Sequence, residues 1–322
     1  MTLRTPLCDR LDIEVPILLA GMGGVAYAEV CAAVSEAGGF GTLGMAGESP
    51  QGIRREMRRV RELTDKPFGV DLLAALPDQM LQAVGVVIDE GARAFIAGLG
   101  VPGPVIERCH EAGLLVMSLC GKVRHAVAAE AAGCDVVVAQ GTEAGGHTGG
   151  VAGMALIPQI VDAVSIPVVA AGSIVDGRGL AAALSFGAQG VWMGTRFIAS
   201  HEARAAERYK KRITEIRDED TVVSRCYSGK PMRVIRNRYV EDWERRPAEI
   251  LPFPAQMAVS RDNDVLAALR GPDEPLDPER DCMPCGQGAG AIRDILSCRA
   301  IVERTVAEAE AVIGRMSALL ER

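Results

Sequence analysis

Residues 167–197 read PVVAAGSIVDGRGLAAALSFGAQGVWMGTRF, and their alternation decides the fold. Pro167 opens the apolar run Val168-Val169-Ala170, which ends in the loop Ala171-Gly172-Ser173-Ile174-Val175-Asp176-Gly177. Proline is tolerated at the first residue of a strand, where its missing N–H costs little. A helical stretch follows and stops at Gly187, since glycine takes the left-handed backbone that ends a helix at low steric cost. Gly190-Val191-Trp192-Met193 is then a second apolar run, ending in Gly194-Thr195-Arg196. Neither run alternates apolar with polar residues, so each fits a strand buried on both faces, as in a parallel sheet.

The same unit recurs upstream. Gly38, Gly91, Gly113 and Gly133 each close a helical stretch, and Phe95-Ile96-Ala97, Leu114-Leu115-Val116-Met117 and Val136-Val137-Val138 follow three of them as apolar runs. Pro16-Ile17-Leu18-Leu19 and Pro67-Phe68-Gly69-Val70 repeat the proline entrance, and Gly41-Thr42-Leu43-Gly44 adds a further strand. The total is about eight strands, spaced by roughly 20 to 30 residues, which is the arithmetic of a (β/α)₈ TIM barrel. A doubly wound open sheet needs only about five or six strands and is the second choice.

Beyond residue 201 the style changes to HEARAAERYKKRITEIRDEDTVVSR, then RVIRNRYVEDWERRPAEI and proline-bearing loops. No strand–helix alternation is visible there. The expected organisation is a barrel from residues 1–205 together with 286–322, and a mostly helical insertion or cap over 206–285. In the tail, Ile292, Ile295, Leu296, Ile301, Val302, Val306, Val312, Ile313 and Met316 have the spacing of an amphipathic helix or two, returning to pack on the barrel.

Composition narrows the function. The 322 residues carry 35 Lys+Arg against 42 Asp+Glu, a net charge of −7, and 4% are aromatic. That gives neither a basic field nor stacking platforms for nucleic acid. No apolar run approaches the ~20 residues that cross a bilayer. Asp9, Asp12 and Glu14 precede the first short apolar run, which is unlike a signal peptide. Nine scattered cysteines read as free thiols of a reducing cytoplasm.

In a barrel of this kind the chemistry sits at the strand carboxyl ends. Four glycine-rich loops fall there: Ala20-Gly21-Met22-Gly23-Gly24, the run 140–150 (QGTEAGGHTGG), the loop from Ala171 to Gly177, and Met193-Gly194-Thr195-Arg196. Such barrels commonly bind phosphate between the last two loops, where Gly172, Ser173, Gly194 and Thr195 offer backbone N–H and hydroxyl donors. His147 is the candidate catalytic residue, because an imidazole in a glycine-rich loop can hydrogen-bond or place charge beside an anion. His110, His125 and His201 read as structural or solvated. Cys282-Met283-Pro284-Cys285 has a metal or redox spacing, yet no second pair accompanies it to complete a four-ligand site, so it reads as two loop thiols and no metal is expected. Walker A and GxSxG motifs are absent, and Gly21-Met22-Gly23-Gly24 is not a dinucleotide fingerprint because Ala26 stands at the third glycine.

Together PILLAGMGG (16–24), PFGVDLL (67–73), AQGTEAGGHTGG (139–150), the stretch 167–197, DTVVSRCYSGKPMRVIRN (220–237) and GQGAGAIRDI (286–295) resemble the nitronate monooxygenase family, older name 2-nitropropane dioxygenase. These are FMN-dependent (β/α)₈ barrels related to flavin-dependent enoyl-ACP reductases and NADH:quinone reductases. The resemblance covers nearly the whole chain. It implies that Ala20, Gly21 and Met22 bind FMN, with Gly21 and Met22 under the isoalloxazine. It further implies that Gln140, Gly145 and Gly146 line the flavin, that His147 lies over its reactive edge, and that Gly172, Ser173, Gly194 and Thr195 hold the phosphate.

Two departures stand out. Asp71 occupies a position where many members have Asn at the end of the third strand, and an ionised carboxylate there would only accept hydrogen bonds. Ser118-Leu119-Cys120 replaces the strand-5 lysine of the quinone-reductase branch, with Lys122 offset. The activity implied is oxidation of an alkyl nitronate by dioxygen to a carbonyl compound and nitrite. His147, cationic or hydrogen-bonding, would stabilise the anion. The alternative is NAD(P)H-dependent reduction of an enoyl thioester or a quinone. A small-molecule substrate is implied, with no nucleic-acid or membrane partner, and pairing into a homodimer stays open.

Overall fold

The computed structural model describes residues 3–75 and 77–320. Eleven strands are present among them: β1 (Ile17–Leu19), β2 (Gly41–Gly44), β3 (Phe68–Leu73), β4 (Ala94–Gly98), β5 (Leu115–Cys120), β6 (Val136–Gln140), β7 (Gly146–His147), β8 (Val168–Ala171), β9 (Gly190–Met193), β10 (Thr221–Ser224) and β11 (Met232–Ile235). Eight of them form one parallel sheet in the order β1-β9-β8-β6-β5-β4-β3-β2. The edges meet where Leu18 bridges Phe40, with Leu19 N–H donating to the Phe40 carbonyl at 2.9 Å and Phe40 N–H to Ile17 at 2.9 Å. The chain is a (β/α)₈ TIM barrel, and its eight strands contain the apolar runs read from the sequence.

Six of the eight strands, β2 and β3 being the exceptions, feed two cores, which is why their residues are apolar on both faces. Leu18, Phe40, Ile96, Met117, Val138, Val169 and Trp192 cluster together, while Leu19, Leu43, Val70, Val137, Ala170 and Val191 belong to the layer shared with the helices. Val137 and Val138 are both fully buried, and burying each contributes about 1.5–3 kcal/mol. The first cluster also takes in Leu7 and Leu11 from the short helix Pro6–Leu11, which is tied to the start of β9 by Thr5 Oγ1 donating to the Gln189 carbonyl at 2.5 Å. The helix therefore stops the N-terminal end of the barrel and leaves the other end to the loops. Gly38, Gly91, Gly113, Gly133 and Gly187 all have positive φ, from 69° to 99°, as helix stops require.

Residues 206–285 contain the helices Glu207–Glu215, Arg238–Glu244 and Ala255–Asp262, but also an antiparallel hairpin. β10 pairs with β11, and β11 pairs with β7, with Met232 opposite His147. The sequence reading has no strand here. The pairing joins residues about 85 positions apart, so no local pattern announces it. A small apolar cluster of Cys226, Tyr227, Met232, Val234, Val240, Trp243, Val265 and Cys282 supports the hairpin from within its own segment. In the tail, one helix runs from Cys298 to Ser317, capped by Ser297 Oγ accepting from Ala300 N–H at 3.2 Å. Ile292, Ile295 and Leu296 precede that helix, so it starts later than the apolar spacing suggests. Among the described residues no helix is long and apolar enough to cross a membrane.

Candidate active site

The carboxyl ends of the strands bring most of the candidate residues to one end of the barrel. Gln140 ends β6, and its side-chain amide donates to the His147 carbonyl at 2.6 Å, which folds the intervening glycine-rich loop back over the strand. Gly145 sits in that loop against Cys285 and Gly286. A Cβ there would lie 2.7 Å from the Gly286 nitrogen, so only glycine lets the two loops touch.

The loops after β8 and β9 are stitched together by this same neighbour. Thr195 Oγ1 accepts from Gly286 N–H at 3.0 Å, and Ser173 Oγ accepts from Gly288 N–H at 2.9 Å while donating to the Glu143 carbonyl at 3.0 Å. Gln287 N–H also reaches the Glu143 carbonyl at 3.0 Å. Ser173 holds a left-handed backbone, φ 52°, which costs on the order of 1 kcal/mol or more in a residue with a Cβ. Its hydroxyl contacts over-determine that conformation. Gly172, Ser173, Gly194, Thr195 and the strip 286–288 are thus one cluster, and both hydroxyls read from the sequence as donors are engaged with protein. In GQGAG (286–290) the run of three glycines in five residues is the signal that marks a loop approached closely by others.

His147 lies opposite Met232 in the β7–β11 pair, and its Nε2 is 2.9 Å from Ser228 Oγ. Ser228 is itself buried, in a turn where its hydroxyl also meets the Lys230 carbonyl at 3.2 Å and the Lys230 N–H at 3.3 Å. Phe253 packs edge-on to the imidazole with ring centres 6.4 Å apart, and Lys230 Nζ lies 4.5 Å over the Phe253 ring. Burial, reinforced by the charge of Lys230, pushes the imidazole down to about 4. Of the two forms the sequence left open, cationic or hydrogen-bonding, the second is therefore the one held near neutral pH. Ser228, Lys230 and Phe253 were invisible to sequence reasoning, because they reach His147 only through the hairpin.

Asp71 is buried within β3, opposite Gly44 on one side and Ile96 on the other. Its Oδ1 is buried with no hydrogen-bond partner among the described residues. Burial raises the carboxyl well above its usual range, offset in part by the nearby backbone of Gly98. Desolvation favours the neutral acid, which can donate as well as accept, as an amide does. Ala20 and Met22 flank Gly21 at the end of β1, and a Cβ on Gly194 would lie 3.3 Å from Met22 Sδ and 3.4 Å from Ala20 Cβ. The β1 and β9 loops therefore adjoin.

Other candidates lie elsewhere. His110 Nε2 pairs with Asp135 at 2.9 Å on the surface. Arg196, next to Thr195, turns away from the cluster and is bound to Asp294 at 2.8 Å. Cys282 and Cys285 are buried free thiols, and Cys282 Sγ lies 3.7 Å from Met232 Sδ. Among the described residues no group of three or more His, Cys, Asp or Glu could hold a metal ion.

Comparison with known proteins gives a consistent answer. The family model described as nitronate monooxygenase matches residues 4–83 and 78–308. A probable nitronate monooxygenase of Staphylococcus saprophyticus is 33% identical over 98% of this chain and 100% of its own length. A protein of Mycobacterium tuberculosis named (3aS,4S,5R,7aS)-5-hydroxy-7a-methyl-1-oxo-octahydro-1H-indene-4-carboxyl-CoA dehydrogenase is 35% identical over the full length of both chains. The solved structure of FabK from Thermotoga maritima superposes with a TM-score of 0.90 at 35% identity, covering 99% of this chain and 100% of its own.

Proposed function

Because this chain belongs to the nitronate monooxygenase family and is a flavin-dependent oxidoreductase, we propose that it binds FMN at the C-terminal mouth of the barrel and oxidises alkyl nitronates with dioxygen to a carbonyl compound and nitrite. The residues fit such a group on two counts. Asp71 aims a buried, unpartnered Oδ1 from within the barrel sheet. At Gly146, whose φ is 74°, a Cβ would meet nothing within 4 Å, which leaves open space beside His147.

The observation that carries the reading is the convergence of three glycine-rich segments, at Gly172-Ser173, Gly194-Thr195 and Gly286–Gly288, next to the loop that ends in His147. Backbone N–H groups of Gly172, Ser173, Gly194 and Thr195 would hold the phosphate, and the hydroxyls of Ser173 and Thr195, which accept from Gly288 and Gly286, would keep the segments in register. Gly21, Met22, Gln140, Gly145 and Gly146 would line the ring system, with Asp71 hydrogen-bonding it as a neutral acid. When bound, FMN supplies the redox chemistry, accepting electrons from the substrate and passing them to dioxygen. His147 would orient the substrate through a hydrogen bond made by a neutral imidazole, its Nε2 held by Ser228. A ring fixed in this way costs no reorganisation as charge develops.

The second reading, reduction of an enoyl thioester or a quinone with NAD(P)H, is favoured by the full-length relative named as a carboxyl-CoA dehydrogenase. Anaerobic mixing separates the two. Bleaching of the flavin by an alkyl nitronate, with indifference to NAD(P)H, supports the monooxygenase. Bleaching by NAD(P)H with indifference to the nitronate replaces it by the reductase.

A further inference from the structure

A nitronate is an anion, and the imidazole closest to the proposed reaction centre carries no charge to meet it near neutral pH. A cation stands next to it. Lys230 follows the Ser228 turn that holds His147, its Nζ lies over the face of Phe253, and Phe253 in turn packs on the His147 ring. Among the described residues Lys230 takes part in no ion pair, whereas the neighbouring Arg233 is committed to the Thr142 carbonyl and Thr221 Oγ1. The charge of Lys230 reaches the imidazole.

We propose that Lys230 forms an anion subsite with His147 and binds the paired oxygens of the substrate, a nitronate or an isosteric carboxylate. The assignment of the nitronate as the physiological occupant rests on the function proposed above; the subsite itself rests on the Lys230, Phe253, Ser228 and His147 cluster. Lysine serves here as a point charge on a flexible stem, partly exposed and able to swing from the Phe253 face to an incoming anion. The Phe253 face holds the ammonium in place while the subsite is empty.

The test titrates the flavin-loaded protein with propanoate and with neutral propanamide, read by the perturbation of the flavin spectrum. Lys230→Met is expected to weaken propanoate at least about tenfold, the loss of one charged hydrogen-bond partner, and to leave propanamide within about twofold. Lys230→Arg should restore propanoate to within about threefold, because the charge returns. Wild-type binding of propanoate should also weaken as ionic strength rises from about 0.05 to about 0.5 M. Equal affinity of wild type and Lys230→Met for propanoate, parallel loss of both ligands, or salt-independent binding overturns the proposal. So does a wild type that binds no propanoate. Nitronate turnover is measured alongside: its absence with lysine-dependent propanoate binding removes the nitronate reading and leaves the subsite standing.

Discussion

Gly21 and the carboxyl of Asp71 are in direct contact: a Cβ on Gly21 would lie 2.2 Å from Asp71 Oδ2 and 2.3 Å from Asp71 Cβ. The loop after β1 thus closes over the end of β3, and the side chain missing at position 21 is what lets it do so. Gly21→Ala is expected to lower stability by about 1–3 kcal/mol through overpacking, and to reduce the flavin retained on purification. Denaturant melts with flavin quantification check this; an alanine variant of full stability and full flavin content would remove the contact from the account.

Asp71 should make the protein less stable as pH rises. A carboxyl whose folded pKa is raised above its unfolded value contributes stability that is fully present below the unfolded pKa and is lost as pH rises through the folded one. Asp71→Asn keeps the shape and cannot ionise. Its stability relative to wild type should therefore increase from about pH 4 upward and then level off. A difference that stays flat from acid to neutral pH would show that Asp71 does not titrate in this way.

His147 carries the opposite sign. Its folded pKa of about 4 lies below the unfolded value, so its contribution is full above about pH 6.5 and is lost as pH falls toward 4, roughly 3 kcal/mol in all. His147→Asn should lack that acid-induced loss, keep its flavin and turn over at least about tenfold more slowly. Because the imidazole is already neutral, the pH profile of wild-type turnover should show no inflection between about 6 and 7 belonging to this residue. An inflection there that disappears in His147→Asn would return the cationic form to the mechanism.

Ser228→Ala leaves His147 Nε2 without its 2.9 Å partner. The cost of an unmatched buried nitrogen is about 1–3 kcal/mol, here expressed as loss of ring orientation. The expected result is a kcat about tenfold lower, a KM little changed and flavin content as in wild type, with partial rescue in Ser228→Thr. An unaltered kcat would reduce Ser228 to a turn residue.

The barrel was legible because its rule is local. Val136-Val137-Val138 must face two cores at once and so has no polar residue, and Gly133 before it must stop a helix, so both are visible within ten residues. Glycine loops and His147 were legible for the same reason. What the sequence hid depends on contacts across the chain. The pairing of His147 with Met232 brings Ser228 and Lys230 to the imidazole, and Gly286 and Gly288 reach Thr195 and Ser173 from about 90 and 115 positions away. The upward shift of the Asp71 carboxyl is a property of its burial and not of its residue type, which is why sequence alone does not show it.

The central claim is that a flavin phosphate is gripped where the loops after β8 and β9 meet residues 286–288. Equilibrium binding of FMN and of riboflavin to the flavin-stripped protein, followed by quenching of flavin fluorescence, tests it most directly. The account predicts that FMN binds at least about a hundredfold more tightly than riboflavin, the worth of two charge-assisted hydrogen bonds, and that Ser173→Ala narrows the gap by weakening FMN alone. Equal affinity for the two flavins, or a protein that takes up neither, would contradict it.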